Sequence, residues 1–355
     1  MCRRRNTSKN GKLQNKRPVG SGERNREMIE PKQPKPEEIQ TKFQCRMHWR
    51  MNRRCNFNCA YCFRDLPDED RQTENPACGK YSAEHIAQRF DETGKVWRIY
   101  MTGGEPLLYT GFVELAKALT RRHCISVSTN LSTANAYELA EEVESERIVP
   151  IKANLHISER EKSKNGLKEY LEKFLRFQER GFDIRLVYVA YPPLFGRIKQ
   201  DLERFRSEGV RQIEVKVFQG RYEGRRYPRD YTDQEQTFIR GFGLDNCEQQ
   251  ILTSRVSFLG RKCQAGHLAF YMDISGNVTR CVTLKENYGN LFEGPFRPGD
   301  SLRRCPVRKC GCAYQGINLT GTAGSVAPPN IVLRPVQFSV AVGELIARLS
   351  SKVSK

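Results

Sequence analysis

The sequence predicts an α/β fold, an open six-unit (β/α)6 partial TIM barrel followed by a small C-terminal module. Two observations predict this fold. Between residues 43 and 242, apolar patterns typical of strands alternate six times with patterns typical of helices, which implies a parallel sheet with helical crossovers. From about residue 261 the alternation stops, and glycine, proline and five cysteines crowd into 263–312. A complete barrel needs eight units, so six units favour an open one.

The six units follow one another in chain order. The predicted strands cover 43–51, 96–104, 124–130, 148–158, 183–193 and 212–220. The predicted helices cover 81–92, 111–122, 133–143, 166–181, 196–209 and 231–242. Thr232 and Glu235 have the spacing of a capping box for the last helix. We therefore expect a disordered basic arm at 1–42, the barrel at 43–260, a metal-stabilised module at 261–320, and a linker with a helix at 321–355.

Composition and charge limit the class of protein. Of the 355 residues 38% are apolar, enough for a sizeable core, and the net charge is +19. Residues 1–40 hold eleven Lys/Arg and five Asp/Glu. This basic balance predicts attraction to a polyanion or an acidic substrate, or simply a basic soluble surface. No apolar run follows the charged N-terminus, and the late apolar stretch is too short to cross a bilayer, so we expect a cytoplasmic protein without a membrane partner.

Thirteen cysteines are many for such a chain, and an odd number favours metal ligation or catalysis over disulfides. In "RRCNFNCAYCFRD", Cys55, Cys59 and Cys62 are spaced by four and three residues after the first predicted strand. Three thiolates on a four-iron cluster leave one iron free to bind a small molecule. The end of a barrel strand is also where active sites are built. The alternative is half of a zinc ribbon.

This motif resembles the signature of the radical S-adenosylmethionine (radical SAM) enzymes, Cys-x3-Cys-x2-Cys with an aromatic residue, here Tyr61, before the third cysteine. The resemblance implies a four-iron, four-sulfur (4Fe-4S) cluster whose open iron chelates S-adenosylmethionine. Reductive cleavage then gives a 5′-deoxyadenosyl radical that abstracts hydrogen from a substrate. The resemblance also implies that Tyr61 lies near the adenine and that a donor such as flavodoxin or ferredoxin supplies the electron.

A second match stands at the end of the second predicted strand, where Gly103, Gly104, Glu105 and Pro106 form the family's GGEP motif. Glycine lets backbone approach a ligand closely, and a carboxylate can pair with the cofactor's ammonium group. We therefore predict these four residues as cofactor contacts and Glu105 as a catalytic residue. The alternative is a tight turn with a solvated glutamate.

Weaker matches stand at later strand ends, where the resemblance implies contacts to the ribose and the methionine carboxylate. Polar groups are expected at the strand ends of any such barrel, and a histidine there can be a satisfied core residue. The predicted contacts are Ser128, Asn130, Asn154 and His156.

The later cysteines resemble the auxiliary-cluster module called SPASM, or its shorter relative, twitch. The resemblance rests on a Gly-x4-Cys spacing, Gly276 to Cys281, and on a trailing "GNL". "FYMDISGNVTRC" predicts a hairpin turning at 275–277. We predict one auxiliary 4Fe-4S cluster with five candidate ligands and one spare cysteine, and zinc is the alternative metal. The candidates are Cys263, Cys281, Cys305, Cys310 and Cys312.

The substrate is less defined. In "FQGRYEGRRYPRDYTD", four arginines alternate with tyrosines after the sixth strand, and this loop can either grip an anionic or aromatic substrate or form a solvated basic loop. We predict an oxidoreductase or maturase-type radical enzyme acting on a peptide, a protein or a small molecule. The alternative is an RNA-modifying radical SAM enzyme or a zinc-stabilised nucleic-acid-binding protein. Only the positive net charge and the basic N-terminal arm support this alternative.

Overall fold

The fold is taken from a computed structural model of the chain. The structure describes residues 43–62, 72, 75, 77, 79–253, 257–294 and 296–310. The predicted arm at 1–42, the predicted linker and helix at 321–355, and Cys312 lie outside these described residues.

Six parallel strands form the centre of the sheet, as the sequence predicted. They pair in chain order, each with the next. This parallel arrangement confirms the α/β fold. The strands are β1 Cys45–Arg50, β2 Trp97–Thr102, β3 Cys124–Thr129, β4 Ile148–Asn154, β5 Ile184–Ala190 and β6 Ile213–Val217.

Helices follow the strands, and some of them begin at residues whose side chains cap them. The Ser82 hydroxyl accepts the His85 N–H at 3.1 Å, and Thr232 with Glu235 forms the predicted capping box. The sequence analysis did not predict the short helix α4 or the helix α8. The helices are α1 Ala83–Asp91, α2 Phe112–Thr120, α3 Asn135–Glu142, α4 Ile157–Arg160, α5 Gly166–Glu179, α6 Ile198–Ser207, α7 Asp233–Arg240 and α8 Asn246–Thr253. Three single 3-10 turns cover Pro106–Leu108, Ser145–Arg147 and Pro192–Leu194.

A two-stranded hairpin that the sequence analysis did not predict follows β6. It pairs β7 Gly220–Tyr222 with β8 Arg225–Tyr227. Its two turn residues, Glu223 and Gly224, have φ of 46° and 73°. Positive φ at both positions is the geometry of a tight hairpin turn, so these two residues set the pairing register.

The C-terminal module continues the central sheet. Strand β10 (Ala269–Met272) pairs parallel with β1, and β11 (Asn277–Thr279) and β12 (Asn287–Asn290) extend the sheet antiparallel. The hairpin turns at Gly276, as predicted, with φ of 85° and a position where a Cβ would lie 2.4 Å from the Phe292 ring. The sheet therefore has nine strands. Strands β9 (Lys262–Cys263) and β13 (Arg303–Arg304) form a separate antiparallel pair.

The two faces of the sheet differ in exposure. Along β1 and β2 every second residue is buried, and Trp97 of this buried set packs against Phe90 of α1 with ring centroids 6.0 Å apart. The alternate residues, among them His48 and Tyr100, are only half-buried. Parallel sheets are usually covered on both faces. Because the side chains of the second face are only half-buried here, we infer that this face lines an open interior. In the described part of the chain, no helix is long and apolar enough to cross a membrane.

Candidate active site

The three predicted cluster cysteines lie together in the loop after β1. Cys62 donates its backbone N–H to the Cys59 carbonyl at 3.0 Å. Cys59 is buried and the other two are half-buried. Burial raises the pKa of Cys59, and the nearby Glu159, Cys55 and Cys62 raise it further because thiolates repel other negative charges. The loop therefore presents three sulfurs at one place.

The cysteine loop is bonded directly to the GGEP turn after β2. Gly104 donates its N–H to the Asn52 carbonyl at 2.9 Å, and Glu105 donates its N–H to the Arg54 carbonyl at 2.8 Å. A Cβ on Gly104 would lie 1.7 Å from the Arg54 oxygen, and one on Gly103 would lie 2.6 Å from the Asn52 oxygen. The glycines thus let the turn approach the cysteine loop, whereas the sequence analysis attributed them to approach by a ligand.

Glu105 is buried at the ends of β2 and β3, with 1% of its surface exposed. Its carboxylate accepts the Leu107 N–H at 3.1 Å, the Asn130 N–H at 2.7 Å and the Thr129 hydroxyl. Burial raises the pKa of Glu105 to about 7, although these hydrogen bonds and Arg160 lower it. A carboxylate has about four acceptor positions, so the chain itself uses three of them.

The predicted residues at the next strand ends are joined by amide hydrogen bonds. The Asn154 amide donates to the Ser128 hydroxyl at 3.0 Å, and the Asn130 amide donates to the Asn56 side-chain oxygen at 3.1 Å. Asn56 lies between the first two cysteines and donates onward to the Ser132 hydroxyl at 2.7 Å. Sequence reasoning missed Asn52 and Asn56. The sequence feature that could have identified them is a pair of asparagines that flank the first cysteine of the motif, Cys55.

Tyr61 and His156 meet across the mouth of the sheet. The Tyr61 hydroxyl lies 3.1 Å from His156 Nδ1, and the two rings stack with centroids 5.7 Å apart. Burial and the nearby Arg160 lower the pKa of His156 to about 3, so its imidazole is neutral at pH 7. Tyr61 also lies 5.1 Å from the Tyr191 ring after β5. The cysteine loop therefore contacts the ends of β4 and β5.

Arg160 is a buried cation that sequence reasoning missed. It is 4% exposed, and its guanidinium donates to the Leu155 carbonyl at 2.7 Å and to the Asn130 carbonyl. It lies 4.1 Å from the Tyr170 ring centroid, a cation–π contact. Burial lowers its pKa to about 10, which still leaves it charged at pH 7. This places a positive charge close to Cys59, where it attracts thiolate charge.

The predicted basic loop is held partly by its own contacts. Arg225 donates to the Asp230 carbonyl and lies 3.3 Å from the Glu235 carboxylate. Arg229 lies 2.6 Å from the Asp230 carboxylate. Strand register places the other two arginines, Arg221 and Arg226, opposite each other, and both are exposed. Half of the arginines predicted to grip a substrate are therefore tied to the protein itself.

Four of the five later cysteines converge. Burial raises the pKa of Cys263, and Cys305, Cys310 and Cys281 raise it further by charge repulsion, which requires proximity. Backbone pairing explains why Cys263 and Cys305 are close. Arg303 in β13 pairs with Cys263 in β9, and Cys305 donates its N–H to the Arg261 carbonyl at 2.9 Å. The structure thus brings four thiols together at the module.

Backbone N–H groups point at two of these sulfurs. Ala265 donates to Cys263 Sγ at 3.5 Å and Leu284 donates to Cys281 Sγ at 3.3 Å. Such donors stabilise thiolates that ligate metal. Among the described residues, no three Cys, His, Asp or Glu side chains converge as they would around a single metal ion. A four-iron cluster takes each thiolate at a separate iron instead.

A family model decides the identity. The model described as the radical SAM superfamily matches residues 49–230, more than half of the 355-residue chain. The chain belongs to the radical SAM superfamily. It is therefore an enzyme, and its cofactors are a 4Fe-4S cluster and S-adenosylmethionine. The residues fit these cofactors, because the matched range places three half-buried or buried thiols, Cys55, Cys59 and Cys62, in one short segment at the end of one strand.

The radical SAM chain resembles curated proteins over a short range only. GTP 3′,8-cyclase from Haemophilus influenzae (strain PittGG) is 35% identical over 91 residues, which is 25% of this chain and 25% of that protein. The chain thus spans about a quarter of the length of the curated relatives it matches.

Two solved structures share the fold over a longer range. Native anSMEcpe with bound AdoMet gives a TM-score of 0.51 at 17% identity and covers 70% of this chain and 78% of that one. Streptococcus suis SuiB bound to S-adenosylmethionine gives 0.52 at 14% identity and covers 71% and 64%. These likenesses support the fold of the radical SAM chain.

Proposed function

We propose that this radical SAM enzyme cleaves S-adenosylmethionine reductively at a cluster held by Cys55, Cys59 and Cys62, and takes a hydrogen atom from a peptide, protein or small-molecule substrate. When bound, the cluster and S-adenosylmethionine supply the 5′-deoxyadenosyl radical for this chemistry. One observation carries the proposal: the GGEP turn donates two backbone hydrogen bonds to the cysteine loop, at Asn52 and Arg54. The cluster thiols and the predicted cofactor contacts thereby form one rigid unit.

In this proposal Glu105 both holds the neighbouring strand ends together and binds the cofactor. Its Oε1 accepts from Thr129 and Leu107, and its Oε2 accepts from Asn130. One acceptor position therefore remains on Oε2 for the ammonium group of S-adenosylmethionine. Because the carboxylate is fixed by three donors, it needs no rearrangement to take that group.

The other predicted contacts form a row of polar side chains at the strand ends. Ser128 and Asn154 share a hydrogen bond at 3.0 Å, and both remain half-buried and accessible from the interior. His156 is neutral and holds the Tyr61 hydroxyl, so the Tyr61 ring is fixed for stacking against an adenine. We propose Ser128, Asn130, Asn154, His156 and Tyr61 as the binding surface for the ribose, carboxylate and adenine.

We further propose that Cys263, Cys281, Cys305 and Cys310 hold one auxiliary 4Fe-4S cluster. Their mutual proximity and the N–H donors to two of the sulfurs support this SPASM-like reading. With four protein thiolates, no iron is left open for substrate. The auxiliary cluster then serves electron transfer.

The test uses protein purified without oxygen. Changing Cys55, Cys59 and Cys62 together to Ala should abolish 5′-deoxyadenosine formation under dithionite, because the open iron needs all three ligands. Iron should fall by about half, since the auxiliary cluster stays. Changing Cys263 and Cys281 to Ala should also remove about half of the iron. The matched control is Cys247→Ala, a half-buried cysteine outside both groups, which should keep all of the iron.

Two outcomes would contradict these assignments. Undiminished 5′-deoxyadenosine from the triple variant would overturn the cysteine loop as the cluster site. Zinc in place of iron in that variant would overturn the auxiliary cluster and restore the zinc alternative for the module.

A further inference from the structure

Three aromatic side chains stand side by side on one face of the sheet, His48 and Tyr100 half-buried and Tyr271 buried. Strand register places His48 of β1 opposite Tyr100 of β2 and opposite Tyr271 of β10. The ring centroids lie 5.2 Å apart for His48 and Tyr100, and 5.4 Å apart for His48 and Tyr271. The proposed function uses none of these three residues. They form a row in the open interior, one from each of three neighbouring strands.

Arg50 lies on the same face, one layer nearer the cysteine loop. It is the last residue of β1 and stands two positions after His48, so both side chains leave the same face. Its guanidinium shares a hydrogen bond with the Tyr271 hydroxyl. Its Nε is buried and has no hydrogen-bond partner among the described residues. Burying a guanidinium N–H without an acceptor lowers the stability of the fold. We therefore infer that the Nε–H of Arg50 donates to an acceptor from outside the chain.

Charge at this part of the sheet is unbalanced. Strands β1, β2 and β10 read CRMHWR, WRIYMT and AFYM, with three arginines and no acidic residue. Asp273, just after β10, lies near Tyr271 and brings one negative charge, and its carboxylate accepts the N–H groups of Ser275 and Asn277 at 2.9 and 3.0 Å. The Nε of Arg98 is also buried without a partner among the described residues. An excess of fixed positive charge in a half-enclosed space attracts anions.

The opposite half of the same face is balanced. There Lys152 and Arg185 lie 3.2 and 2.9 Å from the Glu214 carboxylate, and Lys216 lies 3.1 Å from the Glu248 carboxylate. These ion pairs join charged side chains of β4, β5 and β6. Strands β1 and β2 therefore carry arginines without an acidic residue of their own, and Glu214 of the balanced half lies near Tyr100 at the border between the two halves.

We propose that Arg50, Tyr271, His48 and Tyr100 form a binding site for an anionic group of the substrate, a carboxylate or a phosphate. Arg50 contributes its unpaired N–H and its charge, and the Tyr271 hydroxyl holds the guanidinium in place. The two tyrosines and the His48 imidazole form an aromatic wall for the part of the substrate next to the anion. The inference rests on the proposed function in that it assigns the anion to the substrate of the radical reaction.

The experiment measures anion binding without turnover. Isothermal titration calorimetry is run on the oxygen-free, cluster-loaded full chain, saturated with S-adenosylmethionine and without reductant. The probes are inorganic phosphate, pyrophosphate and succinate. We expect saturable binding of at least one probe, weakened about tenfold or more in Arg50→Gln because a charge-assisted hydrogen bond is lost. Tyr271→Phe should weaken it about threefold, since only the support of Arg50 is removed.

The matched control is Arg204→Gln on α6, which breaks a surface ion pair with Glu208 just after the helix and should bind the probe like the unchanged chain. Preference for phosphate or pyrophosphate indicates a phosphorylated substrate, and preference for succinate indicates a carboxylate. If Arg50→Gln loses iron and is misfolded, the Tyr271→Phe result decides.

Three results would overturn the site. They are the absence of saturable binding by the unchanged chain, equal binding by the unchanged chain and both site variants, or probe binding that occurs only when S-adenosylmethionine is left out, which shows competition. Competition would assign Arg50 to the carboxylate of that cofactor. Since no turnover is involved, these results are distinguishable from failure of the proposed function, which shows as loss of 5′-deoxyadenosine.

Discussion

Asn130 donates its backbone N–H to the Glu105 carboxylate at 2.7 Å, and this bond joins the end of β3 to the turn after β2. Glu105 in turn donates its own N–H to the Arg54 carbonyl at 2.8 Å, inside the cysteine loop. One residue therefore connects two strand ends with the loop that carries the cluster thiols. Changes at this residue test whether the connection positions the site.

Glu105→Gln should destabilise the fold. The amide keeps the shape of the side chain, but its nitrogen cannot accept the hydrogen bonds that the buried carboxylate accepts from three donors. We expect a loss of about 1–3 kcal/mol in the free energy of unfolding, the cost of a buried donor left without an acceptor. Denaturant unfolding measures it. The exposed Glu138→Gln is the control and should change stability by less than about 0.5 kcal/mol.

Gly104→Ala should separate the GGEP turn from the cysteine loop. The new Cβ would lie 1.7 Å from the Arg54 carbonyl oxygen, a backbone atom that can move only with the loop. We expect loss of one cluster, seen as a fall of about half in iron, together with loss of 5′-deoxyadenosine. Gly294→Ala is the control, because nothing lies within 4 Å of its Cβ position and its iron should be unchanged. Full iron and full cleavage in Gly104→Ala would contradict the contact.

His123 should make the fold sensitive to acid. Burial lowers its pKa from 6.5 to about 4, although Asp91 opposes the shift. Since the unfolded chain binds the proton first, the free energy of unfolding falls as the pH drops below 6.5. At about 1.4 kcal/mol per pH unit, the loss is about 2 kcal/mol between pH 6.5 and 5. Denaturant unfolding at both pH values should show a smaller loss in His123→Gln, and equal losses would contradict the assignment.

Arg225 and Arg226 should behave differently although they are neighbours. Arg225 contacts Glu235 and lies 5.2 Å from the Tyr227 ring centroid, so Arg225→Ala should cost about 1–2 kcal/mol of stability. Arg226 is exposed, and Arg226→Ala should stay within about 0.5 kcal/mol. Thermal unfolding measures both. Equal effects would mean that the hairpin does not depend on the Arg225 contacts.

Deleting residues 1–40 tests the nucleic-acid alternative. These residues carry a net excess of six positive charges, eleven Lys/Arg against five Asp/Glu. We expect the deletion to leave cofactor cleavage intact and to remove most of the salt-sensitive, sequence-indifferent binding to RNA. Filter binding at two salt concentrations, beside a 5′-deoxyadenosine assay, measures this. Tight, salt-resistant and sequence-selective RNA binding by the shortened chain would favour an RNA-modifying enzyme instead.

The sequence alone determined the six parallel strands with their main helices, and it indicated the cofactors of the enzyme. Alternating apolar patterns predicted the six parallel strands because side-chain period follows directly from local backbone geometry. The spacing of Cys55, Cys59 and Cys62 predicted the cluster loop because ligands close in sequence need no long-range information. The capping box at Thr232 was visible for the same reason, since its two hydrogen bonds span three residues.

Only the tertiary structure decided which distant groups meet. It placed β10 beside β1, brought Cys263 and Cys281 to Cys305 and Cys310, and set Arg225 against Glu235. It also revealed the buried charge of Arg160 and the buried Nε of the half-buried Arg50, which in the sequence are two arginines among many. The physical reason is that burial and pairing depend on which strands become neighbours across the sheet, and residues from distant parts of the chain share one face only after folding.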